Sequence, residues 1–425
     1  MLPSQLKYNN KINASYARNF NSSIAPQNSA NFSCGETTLI NIPTGPNMFM
    51  SGPDSVLSFE LNVQNSTTTA TSNATCFGKA GVSGAIRRVR IIHGSTLLQD
   101  TDQYGQLISM LYAFQRSQED LEGRGQIMEQ TSSGAVGHVI GAITGPGTHT
   151  VQCCIPLHTI LSMSDNYVPL WAMTGAPLRI EIQWESSVSK FIGSSVALSN
   201  GAGGTFKNVK YIANMIEVSD AGMEIIAKSL GGGPVEWVTQ AYSTFSSSNT
   251  LGTAITQLSV PVPAKYHSLK ALFATFRQYS AGAISHLADD SPNFGLASYT
   301  TRIGATTVPS DAPSNIPEFL CELERSLGCV SNRHSVSSYN VTQYSTLVSA
   351  GLAQSGAFAV GVELESYSNL SDMSSTYTGM NTSTSDIFFN PTFDAQGGNT
   401  NIQVDVFALY DSLIVFQDGM ASVQV

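Results

Sequence analysis

The segment His149…Cys153-Cys154…His158 offers imidazole and thiolate side chains within ten residues, a donor set that suits zinc. Its spacing works against a metal. On a strand, successive side chains point to opposite faces, so Cys153 and Cys154 cannot both address one ion. The expectation is two small buried hydrophobes and no metal. The seven histidines, His93, His138, His149, His158, His267, His286 and His334, contain no His-x-His pair of the kind a cupin-type metal site uses.

Carboxylates and arginines also cluster along the chain. Glu119, Asp120 and Glu122 cluster, and Asp289-Asp290 form a pair. Glycosidase chemistry needs two carboxylates at a set separation across a cleft, and nothing in the spacing implies one. Solvated loop faces are the expectation for both groups, and exposed helix positions for Glu322 and Glu324. Arg87, Arg88 and Arg90 are the densest basic group. On a regular strand Arg88 and Arg90 share one face and Arg87 takes the other. The reading is an ion-pair site that grips a carboxylate across a subunit contact. There is no GxSxG elbow, GxxxxGK[ST] phosphate loop, HExxH or CxxC. No catalytic, cofactor-binding or metal-ligating residue is therefore assigned, and no enzymatic activity is expected.

The elements that would position these groups are mostly strands. In 56–63, Leu57, Phe59, Leu61 and Val63 alternate with polar residues, the period of a half-buried strand. Leu178, Ile180, Ile182 and Trp184 repeat the pattern in 178–184, as do Ile402, Val404 and Val406 in 402–406. Shorter runs fall at 86–92, 209–216, 255–262, 269–276, 357–364 and 412–416. Two segments have helical spacing. In 102–116, Tyr104, Leu107, Ile108, Leu111 and Tyr112 share a face, with Asp100, Thr101 or Asp102 as candidate caps. In 317–327, Phe319, Leu320, Leu323 and Leu327 form the stripe. Ser314 or Asn315 caps it, Pro317 fits its first turn and Gly328 ends it.

The chain thus reads as all-β, with one helix in each half. Both halves close alike, a strand running into a Gly-containing turn at 215–224 and at 414–423. Leu230-Gly231-Gly232-Gly233-Pro234 reads as a linker. The expected organisation is an extended arm over 1–35, a first β-sandwich over 36–229, a linker over 230–235 and a second sandwich over 236–425. The arm carries Lys7, Lys11 and Arg18 and no acid.

Composition narrows the function. Of 425 residues (45.2 kDa), 12% are charged and 42% hydrophobic. Ordinary domains carry about 25% charge, so the polar surface here is mostly Ser, Thr, Asn and Gln. That argues against helical bundles and against wholesale disorder. A net charge of −10 argues against a broad nucleic-acid-binding face. No run of 18 apolar residues is present, and the first twenty residues contain no secretory h-region. Six cysteines (Cys34, Cys76, Cys153, Cys154, Cys321, Cys329) are too sparse for a disulfide scaffold. Cys321 and Cys329 bracket a helix whose eight residues span ~12 Å, too far for a bridge. Free thiols in a reducing compartment are expected. Eight Asn-x-Ser/Thr sequons (Asn13, Asn21, Asn31, Asn65, Asn73, Asn340, Asn369 and Asn381) mark neutral exposed loops rather than glycans in such a compartment.

The order of elements resembles the double jelly-roll major capsid proteins of virophages, polinton-like viruses and large DNA viruses. IRRVRIIHGSTLLQDTDQYGQLISMLYAFQRSQED (86–120) is similar to that family's strand, turn and helix in the first jelly roll, and LHTILSMSDNYVPLWAMTGAPLRIEIQWE (157–185) to its loop and penultimate strand. SYTTRIGATTVPSDAPSNIPEFLCELERSLG (298–328) resembles the strand, Pro-rich loop and helix of the second jelly roll. Residues 357–393 and 404–419 resemble its closing strands. The likeness runs from about Glu36 onward and rests on order, since no motif is an invariant signature.

The resemblance implies two antiparallel jelly-roll sandwiches and a homotrimer with six similar lobes, tiling an icosahedral shell. It implies partners among neighbouring capsomers, pentons and other minor capsid proteins. It implies no catalytic residue, no cofactor and no sequence-specific nucleic acid. The place would be the virion capsid, assembled in the host cytoplasm or nucleus, with the termini inward and the arm near inner membrane or genome. Two rival readings are a carbohydrate-binding or glycan-degrading β-sandwich and a minor virion protein such as a penton or spike. A penton needs only one jelly roll, which the doubled architecture disfavours.

Overall fold

The computed structural model describes residues 17–65, 74–77, 80–117, 139–142, 147–194, 204–254, 256–278, 290–328, 339, 341–347, 356–366 and 378–424. The first lobe contains β1 (Ala17–Ile24), β2 (Phe32–Ser33), β3 (Thr37–Ile42), β4 (Met48–Asn65), β5 (Ala74–Phe77), β6 (Ile86–His93), β7 (Thr96–Thr101), α1 (Tyr104–Gln115), β8 (Val139–Ala142), β9 (Gly147–Pro156), β10 (Leu178–Trp184), β11 (Ile192–Ser194) and β12 (Gly204–Val218). After α2 (Asp220–Leu230) the second lobe contains β13 (Val235–Leu251), β14 (Val260–Val262), β15 (Leu269–Gln278), β16 (Leu296–Ile303), β17 (Thr306–Val308), α3 (Ile316–Ser326), α4 (Val341–Tyr344), β18 (Val360–Glu363), β19 (Ile387–Phe393), β20 (Thr400–Gln417) and β21 (Met420–Gln424).

Each lobe is two packed antiparallel sheets. In the first they run β1-β12-β4-β9 and β3-β10-β6-β7; in the second, β13-β20-β15-β18 and β14-β19-β16-β17. A small sheet, β11-β5-β8, flanks the first lobe. Element by element the two lobes correspond, and all the ladders in these sheets are antiparallel.

The alternating faces are core as expected. Leu57, Phe59, Leu61 and Val63 are buried, as are Leu178, Ile180, Ile182 and Trp184, and Ile402, Val404 and Val406. Trp184 stacks on Phe206 with ring centroids 3.8 Å apart and meets Phe59 edge-on at 5.1 Å. Its indole N–H is not left bare: it donates to Thr38 Oγ1 at 2.8 Å. The second core gathers Phe276, Phe358, Phe389 and Phe393. Burying each such side chain contributes about 1.5–3 kcal/mol before conformational entropy is counted.

Several expectations needed correction. The runs 402–406 and 412–416 are one 18-residue strand, β20. Among the described residues of 255–262 only Val260–Val262 is strand, and within 357–364 only Val360–Glu363. The first helix lacks the expected cap. Asp100 and Thr101 end β7, and the N-cap is Gln103 in the left-handed region at φ 52°, its N–H held by Asp102 Oδ1 at 2.9 Å. The second helix keeps its signals: Asn315 accepts from Glu318 N–H at 3.0 Å, Pro317 sits in the first turn and Gly328 has φ 70°.

The stretch 215–224 is not a strand running into a turn. Ser219 caps α2, Gly231 closes it at φ 59°, and none of its eleven residues is buried. Met223, Ile226 and Leu230 fall at helical spacing and are half-buried, so the signal for this helix, with Ser219 as its cap, was present in the sequence. The turn that follows spans 231–234. At the other end, part of the expected arm is sheet. β1 pairs along its whole length with β12, from Ala17↔Val218 to Ile24↔Tyr211. The first lobe therefore begins by Ala17; residues 1–16 lie outside the described residues.

Candidate functional site

The chemically suggestive residues fall apart in space or become structural. Cys153 is buried opposite Phe59 and Cys154 is half-exposed opposite Ser58, on the two faces of β9. His158 lies beyond the strand's end, its Nε2 3.2 Å from the Tyr112 hydroxyl. Burial, and then the Arg116 charge, push its pKa down to about 4. The side chain of His149 lies outside the described residues. Among the described residues no three His, Cys, Asp or Glu side chains gather to hold a metal. Cys34, Cys153, Cys154 and Cys321 are not joined in disulfides, and Cys76 and Cys329 lie outside the described side chains.

Glu119, Asp120, Glu122 and Asp289 lie outside the described residues. Asp290 is not on a solvated loop face. It is 4% exposed, and its carboxylate accepts the backbone N–H of Gly356. Glu322 and Glu324 are half-buried rather than exposed, and Glu322 pairs with Arg325 one turn on.

The arginine cluster is an ion-pair site, but its carboxylates come from this chain. Arg88 is held bidentately by Asp100, with Nε donating to Oδ1 at 2.6 Å. Arg90 lies 3.6 Å from Asp100 and 3.5 Å from Glu181, and Arg87 lies 3.6 Å from Asp102. Arg87 does not take the opposite face. The β6–β10 register slips between Gln183↔Arg88 and Trp184↔Ile86, so Arg87 is the extra residue of a β-bulge. The bulge lets Arg87 and Arg88 both stay half-exposed while Ile86 and Val89 are core. Acidic residues on β10, on β7 and just past the end of β7 therefore take the contacts expected of a second subunit.

The most developed polar construction is the seam between the lobes, where β7 of the first meets β13 of the second. Hydroxyls donate across it to backbone carbonyls in both directions: Thr101 Oγ1 to Tyr242 O and Thr244 Oγ1 to Asp102 O, both at 2.7 Å. Thr239 Oγ1 donates to Ile160 O at 2.7 Å, and Ser164 Oγ to Val238 O at 2.8 Å. The carbonyls of an edge strand, which would otherwise be buried without a donor, are thus satisfied without a ladder.

His93 is fully buried at the same seam. Its Nδ1 accepts the N–H of Ala421 at 3.3 Å, so the ring proton lies on Nε2, which faces Met173 O at 3.4 Å. Beside it Gly175 N–H donates to Gly419 O at 3.0 Å. A Cβ on Gly175 would lie 2.7 Å from that oxygen, and Gly419 has φ 79°. Phe114 of α1 reaches the second lobe, its ring 4.5 Å from that of Tyr339. The sequence shows a Gly-containing turn within 414–423 and a strand over 86–92, one residue short of His93, but nothing local connects residues more than 300 apart.

No family model and no curated protein matches the chain. Solved structures do match over its whole length. PBCV-1 VP54, fitted into a reconstruction of the virophage Sputnik, aligns with a TM-score of 0.63 at 11% identity, covering 99% of this chain and 100% of that one. The Sputnik virophage structure aligns with a TM-score of 0.63 at 11% identity, covering 100% and 92%. The mavirus major capsid protein aligns with a TM-score of 0.55 at 14% identity, covering 100% and 93%. The fold is the double jelly roll. In a double jelly roll the two sandwiches are successive pieces of one chain, and here the β7–β13 seam fixes how they sit together.

Proposed function

We propose that this chain is a major capsid protein, a structural subunit that trimerises into pseudo-hexagonal capsomers and tiles an icosahedral shell in the virion. The observation that carries this reading is the pair of corresponding sandwiches locked at one fixed seam, over a chain that matches capsid structures from end to end. Two similar lobes per chain turn a trimer into a near-sixfold block. The described side chains favour a structural role over an enzymatic one. Buried carboxylates such as Asp290 and Asp405 are engaged by backbone N–H, hydroxyl or guanidinium donors rather than aimed into a cleft. Neighbouring capsomers and minor capsid proteins are the partners of this reading, with no cofactor and no sequence-specific nucleic acid.

Size-exclusion chromatography with light scattering tests it first, with a mass near three times 45.2 kDa expected. Electron microscopy of the protein co-expressed with its shell partners tests the second step, with closed particles expected. A monomer with hydrolytic activity on glycans would instead favour the sugar-active sandwich.

A further inference from the structure

Lys270 sits in the second lobe between two carboxylates. The β15–β20 register shifts between Leu269↔Tyr410 and Ala271↔Leu409, so Lys270 is the extra residue of a β-bulge. Its ammonium reaches Glu365 Oε1, two residues past the end of β18, at 2.6 Å. It also lies 3.8 Å from Asp411 Oδ1 on β20. The side chains of Lys270, Glu365 and Asp411 are only 13%, 20% and 10% exposed, so three ionisable groups face one another with little water between them.

The groups around this trio are placed as an amide condensation requires. Ser268 Oγ donates to Asp411 Oδ2 at 2.6 Å, and the Asp411 N–H donates to Ser268 O at 3.0 Å, which fixes the carboxyl in place. Burial pushes the Asp411 pKa up, against the pull of the Ser268 hydrogen bond and the Lys270 charge, and the Glu365 charge adds to the rise. A carboxyl that keeps its proton is open to attack by an amine, as a carboxylate is not. Thr378 Oγ1 donates to Glu365 Oε1 at 2.7 Å and holds the oxygen that faces the ammonium. Nucleophile, electrophile, base and a donor to the oxygen on which charge would develop are thus gathered at one point.

We propose that Lys270 and Asp411 join in an isopeptide bond that the chain forms by itself, with Glu365 as the base. Glu365 takes one proton from the Lys270 ammonium. The freed Nζ attacks Asp411 Cγ, a step that needs an approach of ~3–3.5 Å, within reach of a small rotation of the lysine side chain. Negative charge develops on Oδ2, where Ser268 donates. A second Nζ proton passes to the Oδ1 hydroxyl, the Cγ–Oδ1 bond breaks and water leaves. The amide keeps one N–H, and Glu365 returns its proton to solvent. Nothing is oxidised or reduced. The bond ties β15 to β20, the two inner strands of the sheet β13-β20-β15-β18. The inference goes beyond the capsid reading and does not rest on it.

Intact-mass spectrometry of the purified full chain, denatured just before measurement, tests it. The wild type should be lighter than its sequence mass by one water, and a tryptic digest should contain one branched peptide joining Lys270 to Asp411. Lys270→Arg keeps the positive charge but not the nucleophile, and Glu365→Gln removes the base; both should stay at full sequence mass. Asp411→Asn should lose ammonia in place of water, a signature that an ion pair could not give. Circular dichroism confirms that each variant is folded. The wild-type mass decides the matter even where a variant does not fold. A folded wild type at its full sequence mass would overturn the proposal and leave an ion triad only. So would a water loss that survives in Lys270→Arg, or a branched peptide through another pair. Each of these results leaves the capsid reading where light scattering and microscopy put it.

Discussion

Single residues hold this molecule together where backbones come closest. Gly175 and Gly419 touch across the seam, and no side chain fits between them. Gly175→Ala should destabilise by about 1–3 kcal/mol, the usual range for overpacking, and chemical denaturation would measure it. In the core of the first lobe Ile180 has no exposed surface. Ile180→Ala should cost ~2–5 kcal/mol, and a loss near zero would mean the site can collapse around the missing atoms. His158 links structure to pH. Its ordinary pKa of 6.5 is lowered to about 4 in the folded chain. The unfolded chain therefore binds the proton more readily. The stability due to a neutral His158 is complete above about 6.5 and is lost as pH falls from there towards 4. His158→Gln should flatten the fall of melting temperature across that window, with little change at pH 8. In the second lobe, Asp405 is fully buried and its Oδ2 accepts from Arg277 Nε at 2.7 Å. Asp405→Ala removes a fully buried carboxylate together with the acceptor of Arg277, Ser246 and Gln403, and a loss of about 3–5 kcal/mol is expected in the same denaturation assay.

Among the elements, edge strands are the ones that decide fate. β1 is held mainly by its eight-residue ladder to β12 and by Arg18 with Glu217; its side chains are largely exposed. Deleting residues 1–25 removes this strand and bares the β12 edge. The expected outcome is a folded core that aggregates with concentration, since a long uncovered strand templates pairing with other chains. Dynamic light scattering against full-length protein reads this directly. The helices show the opposite extremes. α1 is enclosed on nearly all sides, so its sequence is apolar almost throughout. α2 buries no residue fully and half-buries only the stripe of Met223, Ile226 and Leu230, so it leans on Ser219 and Gly231 at its ends. Local capping compensates only partly for missing burial, because a helix of this length is marginal in isolation.

At the scale of the whole molecule the seam makes two sandwiches behave as one body. It is buried, spans β7, β13 and the β20–β21 turn, and satisfies edge carbonyls with side-chain hydroxyls. Unfolding one lobe would expose the carbonyls and rings of the other. Calorimetry should therefore record a single transition for the isolated chain, and Thr101→Val/Thr244→Val should broaden or split it by leaving two carbonyls without donors.

The strands were legible in the sequence wherever one face meets a core and the other meets water, since burial on one face imposes a period of two. Residues 56–63 and 178–184 are of this kind, and the 178–184 strand spans the same residues in the fold. The helix over 317–327 was legible because its cap, proline and glycine are local chemistry. What only the tertiary structure decided is everything that depends on a neighbour distant in the chain. The Arg87 bulge is set by the register against Trp184, and β1 is strand because β12 offers it a ladder. The ring partners of His93 lie 80 and 328 residues away. Sequence periodicity reports which face of an element is buried. It carries no information about which element buries it, and the seam is made of such choices.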